Sequence, residues 1–504
     1  MIFATSSNPR RLAPVPLACA TLVLVLLAGC SVGPDFQRPV LALPDHYSRH
    51  AATAPAAAPT DAGAPFWRHF NDPQLTALVE QALAANGDLR VALARYDSAT
   101  AVLREGRLSY FPVVTASAQG GHEKVSTDQS YGYPRSHDTY SAGIHVNWEL
   151  DLFGRVRRTV EQRTALVAAS ARDVAGLQVV IAAETAATYM QLRGLQERLR
   201  LVTQNTSNQR QVVDLVGVRL STGRGTEFDA TRSRAQLAIA GAREPALQAQ
   251  IAVAQHRLAV LTGRPPGALI AELDAPRPLP ALPARIDPDS PATLLRRRPD
   301  IAAAEERLHA ATARVGVSTA DLFPRLSLGG LLGTQAFHSS ALFEGSSQSN
   351  YALLGIDWSF LDVGRVRANI AASTAESAAM LAQYQQTVLL ALEETENALV
   401  RYARTRSEDE MLERAARDSD QAAQLARLRY KAGEIGLYEL LDAERVVLDA
   451  QDAFADSRTR SAMAAVALYK TLAGGWPERA PERVRAAPAH GAATTVAQAT
   501  AEVR

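Results

Sequence analysis

The sequence predicts a mostly helical chain with a short β part, the whole unit written twice. Three observations carry this. Motifs recur at a fixed offset: Trp148 and Trp358, Gly154 and Gly364, and Gly223 and Gly433 are each separated by 210 residues. Two long stretches of helical composition, each bounded by glycines and free of proline, follow those tryptophans. Short segments that alternate apolar and polar residues precede them. A period this long is too great for a solenoid and marks two copies of one unit, each reading helix, strand, strand, long helix, turn, helix.

The paired segments make the duplication concrete. "YFPVVTASAQG" at 110–120 returns as "LFPRLSLGGLL" at 322–332, and "VNWELDLFGRVRRTVEQ" at 146–162 as "IDWSFLDVGRVRANIAA" at 356–372. "VRLSTGRGTEFDATRSRAQLA" at 218–238 returns as "LRYKAGEIGLYELLDAERVVL" at 428–448. The implied organisation is 1–29 as a signal peptide, 30–64 as an N-terminal tether, 65–262 as the first repeat, 263–299 as a linker, 300–476 as the second repeat and 477–504 as a disordered tail. The linker is rich in proline, which excludes a continuous helix. The tail is small, polar and aperiodic.

The long stretches run from Gly154 to Gly223 and from Gly364 to Gly433. At 1.5 Å per residue, about 67 helical residues span roughly 100 Å. Val174, Leu177, Ile181, Leu192, Leu195, Leu199 and Val202 form one apolar stripe. Leu381, Tyr384, Val388, Leu392, Leu399 and Tyr402 form the other. Narrow stripes of this kind suit side-by-side, coiled-coil-like packing. Return helices are expected over 226–262 and 436–473, the first kinked at Pro245. One helix is expected ahead of each pair of strands, ending just before the two "FP" dipeptides.

The strands are expected at 113–121, 140–151, 325–334 and 350–361. In the second, Tyr140, Ala142, Ile144, Val146, Trp148 and Leu150 share one face and polar residues the other, the pattern of a half-wet strand. Ala352, Leu354, Ile356, Trp358 and Phe360 repeat that face in the fourth. Each strand has about the length that crosses a bilayer when tilted. The stretches 122–139 and 335–349 read as polar loops. No apolar run beyond the N-terminus suggests a membrane-spanning helix, so any spanning part must be a barrel. Four strands cannot close one. Subunits must pool strands about an axis; two would give eight and three would give twelve.

Net charge is +1 over 504 residues, which carries no nucleic-acid signature. The ten histidines are scattered without a metal-ligand spacing such as HExxH, and no GxSxG elbow, P-loop or CxxC is present, so nothing points to an enzyme or a cofactor. His122, His137 and His145 read as polarity of a loop and a wet strand face. The N-terminus has the build of a secretory signal: Arg10 and Arg11, then a short apolar core ending in "LAGC". "LAGC" resembles the bacterial lipobox, which implies cleavage before Cys30 and acylation of its thiol and new amino group. Cys19 would leave with the signal, so no disulfide framework exists. Ser31, not aspartate, follows Cys30; in the Gram-negative sorting pattern this implies passage to the outer membrane.

These motifs together resemble the outer-membrane factors of tripartite efflux pumps, the TolC/OprM-like group, and most closely its NodT-type lipoproteins. "CSVGPDFQRP" at 30–39, "FWRHFNDPQLTALVEQALAANGDLRVALARY" at 66–96 and "RRPDIAAAEERLHAATARVGVSTADLFPRLSLGG" at 297–330 carry the resemblance. It implies a homotrimer in which a 12-strand β-barrel continues into a 12-helix periplasmic α-barrel. It also implies a periplasmic membrane-fusion adaptor and an inner-membrane pump of the resistance–nodulation–division (RND) type as partners, and passage of drugs or other small toxic solutes without catalysis. The inner end would be closed by helices flanking the glycine turns, placing Arg429, Tyr430, Glu439, Asp442 and Asp229 at a gate and Gly223 and Gly433 at the adaptor contact. Arg429 and Tyr430 would bond to acids across neighbouring helices. Glu439 and Asp442 lie one helical turn apart on one face, so a trimer would make each a ring of three carboxylates. Acids in a first turn also serve the helix dipole, a plainer role. Some family members carry arginine just after the second glycine where this chain has Ile435, which would shift the closing bonds onto Arg429. A type I protein-secretion duct is a neighbouring function; a structural coiled-coil lipoprotein would explain the helices but not the duplicated strands.

Overall fold

A computed structural model describes residues 31–42, 44–48, 65–130, 132, 134–283, 286 and 290–472. The signal peptide, Cys30 and the tail 477–504 lie outside the described residues.

The first repeat opens with a 3₁₀ turn at Phe66–Phe70, then α1 (Pro73–Ala85) and α2 (Gly87–Leu108). The sequence suggested one helix here. Asn86 divides it: its backbone leaves the helical region, its side chain accepts from the amides of Asp88 and Leu89, and its Nδ2 donates to the Leu261 carbonyl at 3.0 Å. Asp72 caps α1 in the same manner, and Pro73 occupies the first helical position, where a missing N–H costs nothing.

Strands β1 (Val113–Lys124) and β2 (Ser136–Leu150) follow, then α3 (Arg155–Ser221). The return path is two helices, α4 (Glu227–Gly241) and α5 (Arg243–Leu261), broken at Ala242. Pro245 falls in the first turn of α5, where proline is tolerated; a continuous helix would drive its ring into the Gly241 carbonyl. The linker is not wholly irregular. It carries the short helices α6 (Ile270–Leu273) and α7 (Pro291–Arg297), the latter capped by Ser290. The second repeat comprises α8 (Pro299–Ala320), β3 (Arg325–Ala336), β4 (Gln348–Asp357), α9 (Val363–Ala432) and an unbroken α10 (Leu437–Leu472).

The four strands form one antiparallel sheet in the order β1-β2-β3-β4. The first hairpin extends further than its pattern suggested, with His122 opposite Asp138 and Lys124 opposite Ser136. Strand β4 is shorter: Trp358 and Phe360 lie beyond it. The indole of Trp358 instead donates to the Leu322 carbonyl at 3.0 Å, just as Trp148 donates to Tyr110 at 3.0 Å. The duplicated tryptophan thus ties each outgoing chain to the residue before each "FP". Among the described residues, strands β1 and β4 each have one neighbour, leaving two edges of the sheet open.

Two compact units divide the chain. One contains residues 95–172 and 302–387, which hold the sheet and the helix segments that flank it, with the N-terminal residues to 41; no strand residue in it is buried. Residues 31–41 do not form a free tether there, because they lie against α3 and α8. The other unit contains residues 42–94, 173–301 and 388 onward. It has a continuous core in which Leu75, Tyr189, Met190, Leu192, Leu258 and Leu468 are shielded from solvent, together with Tyr47 of the N-terminal segment. Helix α3 also holds a stretch that by length and composition alone is long and apolar enough to cross a membrane, contrary to the sequence reading. Much of α3's apolar surface faces protein: Ile181, Ala182, Ala183 and Ala186 are buried.

Candidate functional site at the helix tips

The two glycine turns have the same backbone. Gly223 has φ +73° and Gly433 φ +83°. At the first, Gly223 N–H donates to Leu220 at 3.0 Å and Arg224 N–H to Arg219 at 2.8 Å. At the second, Gly433 N–H donates to Tyr430 at 3.1 Å and Glu434 N–H to Arg429 at 2.9 Å. Paired bonds of this kind satisfy the last carbonyls of a helix and need a left-handed residue at the turn, the conformation that favours glycine.

Between the turns lies a small apolar cluster separate from the main core: Val212, Val216, Ala230, Tyr430, Leu440 and Leu441. Ile435 packs against it, contributing apolar contact to the turn. The Tyr430 ring is almost fully buried. The Arg219 guanidinium lies over it, 4.1 Å from the centroid, and donates to the Tyr430 carbonyl at 3.0 Å. That contact joins α3 to α9. A second tie joins α9 to α10: Arg427 forks onto Glu444, whose carboxylate is largely buried, with one bond of 2.7 Å. The hydrogen bonds it donates to Glu444 raise the Arg427 pKa further above its ordinary value.

The sequence-predicted residues divide. Arg429 bonds Glu434 of its own turn at 3.2 Å, with both side chains about 60% exposed. Asp442 accepts from Arg445 on its own helix at 2.9 Å. Glu439 is exposed in the first turn of α10. Asp229 is held in a capping box with Thr226, its carboxylate accepting the Thr226 hydroxyl at 2.7 Å, which is the plainer role of a first-turn acid. Within the chain, therefore, Arg429 pairs inside its own turn and not across helices. Tyr430 ties helices through its ring and carbonyl rather than through an acid. Sequence reasoning missed Arg219, Arg427 and Glu444. The repeat offset held a signal for the first, since Arg219 stands 210 residues before Arg429.

Long helices, a duplicated turn and an open-edged sheet meet in one chain, and known proteins share the whole arrangement. Residues 78–264 and 291–474 match the family described as outer membrane efflux protein. The chain belongs to that family. It is 32% identical over 463 residues to outer membrane protein OprJ of Pseudomonas aeruginosa, covering 91% of this chain and 96% of that one. It is 29% identical over 432 residues to nodulation protein T of Rhizobium leguminosarum bv. trifolii, covering 84% and 89%. Among solved structures, the outer-membrane channel OprN superposes with a TM-score of 0.80 at 40% identity, covering 89% of this chain and all of that one. The protein is thus an outer-membrane efflux channel and not an enzyme, its fold a duplicated helix–strand–strand–long helix–helix unit that spans the outer membrane and extends into the periplasm.

Proposed function

We propose that this channel works as a homotrimer and as the exit duct of a tripartite pump, receiving drugs or other small toxic solutes from a periplasmic adaptor and an inner-membrane RND transporter. The observation that carries the pooling of subunits is the sheet with two open edges; its wet strand face and a water-filled lumen favour the larger ring of three over two. In lipid, each unpaired backbone group costs several kcal/mol. Pairing β4 of one subunit with β1 of the next removes every edge, and three chains make twelve strands with six long helices and their six return paths below. The adaptor would meet the duct at the Gly223 and Gly433 turns. Acylation of Cys30 would supply a second hold on the membrane, with no other cofactor.

At the inner end, Asp442 and Glu439 project from exposed positions on α10, and Asp229 stands at the equivalent of Glu439 in the first repeat. Threefold repetition makes rings of carboxylates that favour cations. Arg429 and Tyr430 sit one turn above, Tyr430 fixed by Arg219, so that the closed tip rests on ties within each chain as well as between chains.

Single-channel conductance in a planar bilayer, with Asp442→Ala beside the parent, tests the duct and its gate together. Discrete steps that are larger or more frequent in the variant are expected. Silence from both, in inserted and folded trimers, would overturn the channel gate as drawn. Palmitate labelling that persists in Cys30→Ala would overturn the lipid attachment.

A further inference from the structure

The residues just after Cys30 occupy a built seat. Ser31 lies against Gly154: a Cβ on that glycine would come within 2.8 Å of the Ser31 Cα. Val32 N–H donates to the Phe153 carbonyl at 3.3 Å. Gly33, at φ +90°, touches Gly316 of α8 so closely that a Cβ on it would lie 2.5 Å from the Gly316 Cα. A Cβ on Gly316 would in turn meet the Arg158 side chain at 2.9 Å.

Arg158, in the first turn of α3, closes over the segment. Its side chain is 5% exposed, yet three of its partners belong to the strap: the Val32 carbonyl at 3.2 Å, the Gly33 carbonyl at 3.4 Å and the Asp35 carboxylate at 2.6 Å. Glu161 takes the remaining bond at 2.8 Å. Farther along, Phe36 stacks on His309 at 4.6 Å and Arg38 pairs with Glu305 at 2.6 Å. A buried guanidinium is costly unless its donors are met. Here the groups that meet them come largely from eight residues of extended chain.

The seat lies where the sheet gives way to helix. Phe153 stacks on Phe323 at 4.8 Å. Tyr110, Phe111, Trp358 and Phe360 are exposed at the same ends of the strands. Aromatic side chains of this kind gather at the boundary between lipid and water.

We propose that Ser31–Arg38 is a depth gauge: docked through Arg158 and the Gly33–Gly316 contact, it holds the residue that precedes it at the aromatic boundary, so that the acyl chains on Cys30 enter the bilayer beside β2 at one fixed height. Consecutive Cα atoms are about 3.8 Å apart, so a group borne by the residue before Ser31 starts within one residue's reach of the seat. Arg158 is a positioning residue in this device. The lipid clause rests on the proposed acylation of Cys30; the seating of the strap does not.

The test measures depth directly. A fluorophore on Ser31→Cys is read in full-length trimers in vesicles, against lipids brominated at different acyl positions. One narrow depth near the headgroup–acyl boundary is expected, retained in Cys30→Ala. Arg158→Ala should broaden it and reduce quenching at least twofold. Gly33→Val should do the same without altering any helix, which guards against a folding defect in the arginine variant. A depth that collapses in Cys30→Ala but is unmoved by both Arg158→Ala and Gly33→Val would overturn the gauge, because the lipid alone would then set the height. Palmitate labelling of the parent reports separately on the acylation.

Discussion

The two tips of the molecule share a backbone and differ in how they are tied. Each long helix ends in the same pair of turn bonds around a left-handed glycine. Beyond that the repeats part. At the first tip, Leu220 stands where the second has Tyr430, and Arg234 where the second has Glu444. Arg234 reaches the exposed Glu227 and the Thr231 hydroxyl, both on its own helix, and the return helix breaks at Ala242. At the second, Tyr430 is buried beneath Arg219, Glu444 is held by Arg427, and α10 runs on for 36 residues. Duplication preserved the geometry that hydrogen bonding and glycine impose. Side chains then diverged until the second tip held most of the ties. The Arg219–Tyr430 stack joins the two tips, while the Arg427–Glu444 pair braces the second alone.

The largest effect that sharpens this asymmetry should come from Arg219→Ala. It removes a cation stacked on a buried ring and a charged hydrogen bond, together worth about 2 kcal/mol. Open-state conductance events should rise on the order of tenfold, while Arg219→Lys, which keeps the charge but not the planar stack, should fall between. Equal behaviour of Arg219→Ala and the parent would place the lock elsewhere. Next comes Glu444→Gln, which leaves Arg427 half-buried without its carboxylate. A loss of about 1–2 kcal/mol is expected, seen as a lower melting temperature of the trimer. The equivalent change in the first repeat, Arg234→Ala, should stay within about 0.5 kcal/mol because that pair is exposed. Similar losses at both positions would erase the contrast. Gly223→Ala and Gly433→Ala form the control: no atom crowds either glycine, so each should cost about 1 kcal/mol from backbone conformation alone. A marked inequality between them would show that the turns are not equivalent after all.

What could be read beforehand follows the same division. The long helices were expected between Gly154 and Gly223 and between Gly364 and Gly433, and run Arg155–Ser221 and Val363–Ala432. Gly154, Gly223 and Gly433 adopt positive φ and mark helix ends in the sequence itself, whereas Gly364 lies inside the first turn of α9. Strand faces were legible because alternation has a period of two, although the outer limits of the first hairpin were not, since Ser, Thr and Gly suit loop and strand alike. The break at Asn86 was hidden because its capping bonds resemble helix composition. The arginine partners were hidden for a more general reason. Helical spacing tells which residues share a face but not which neighbouring helix that face meets. Arg429 and Arg219 occupy the same position in their repeats, and only packing reveals that Arg219 is the one laid over Tyr430.

Arg429 therefore offers the finest test. Its guanidinium bonds Glu434 of the same turn, and an exposed pair contributes roughly 0–1 kcal/mol. Arg429→Ala should leave the melting temperature of the trimer almost unchanged. If Arg429 also bonds an acid of a neighbouring subunit, as the proposed gate requires, the variant should still raise conductance, and Asp442→Ala should add little when combined with it, because non-additivity marks partners in one interaction. If the two substitutions instead act independently, Asp442 is engaged by Arg445 alone. The braced tip would then be held by Arg219, Tyr430, Arg427 and Glu444, all contributed by a single chain.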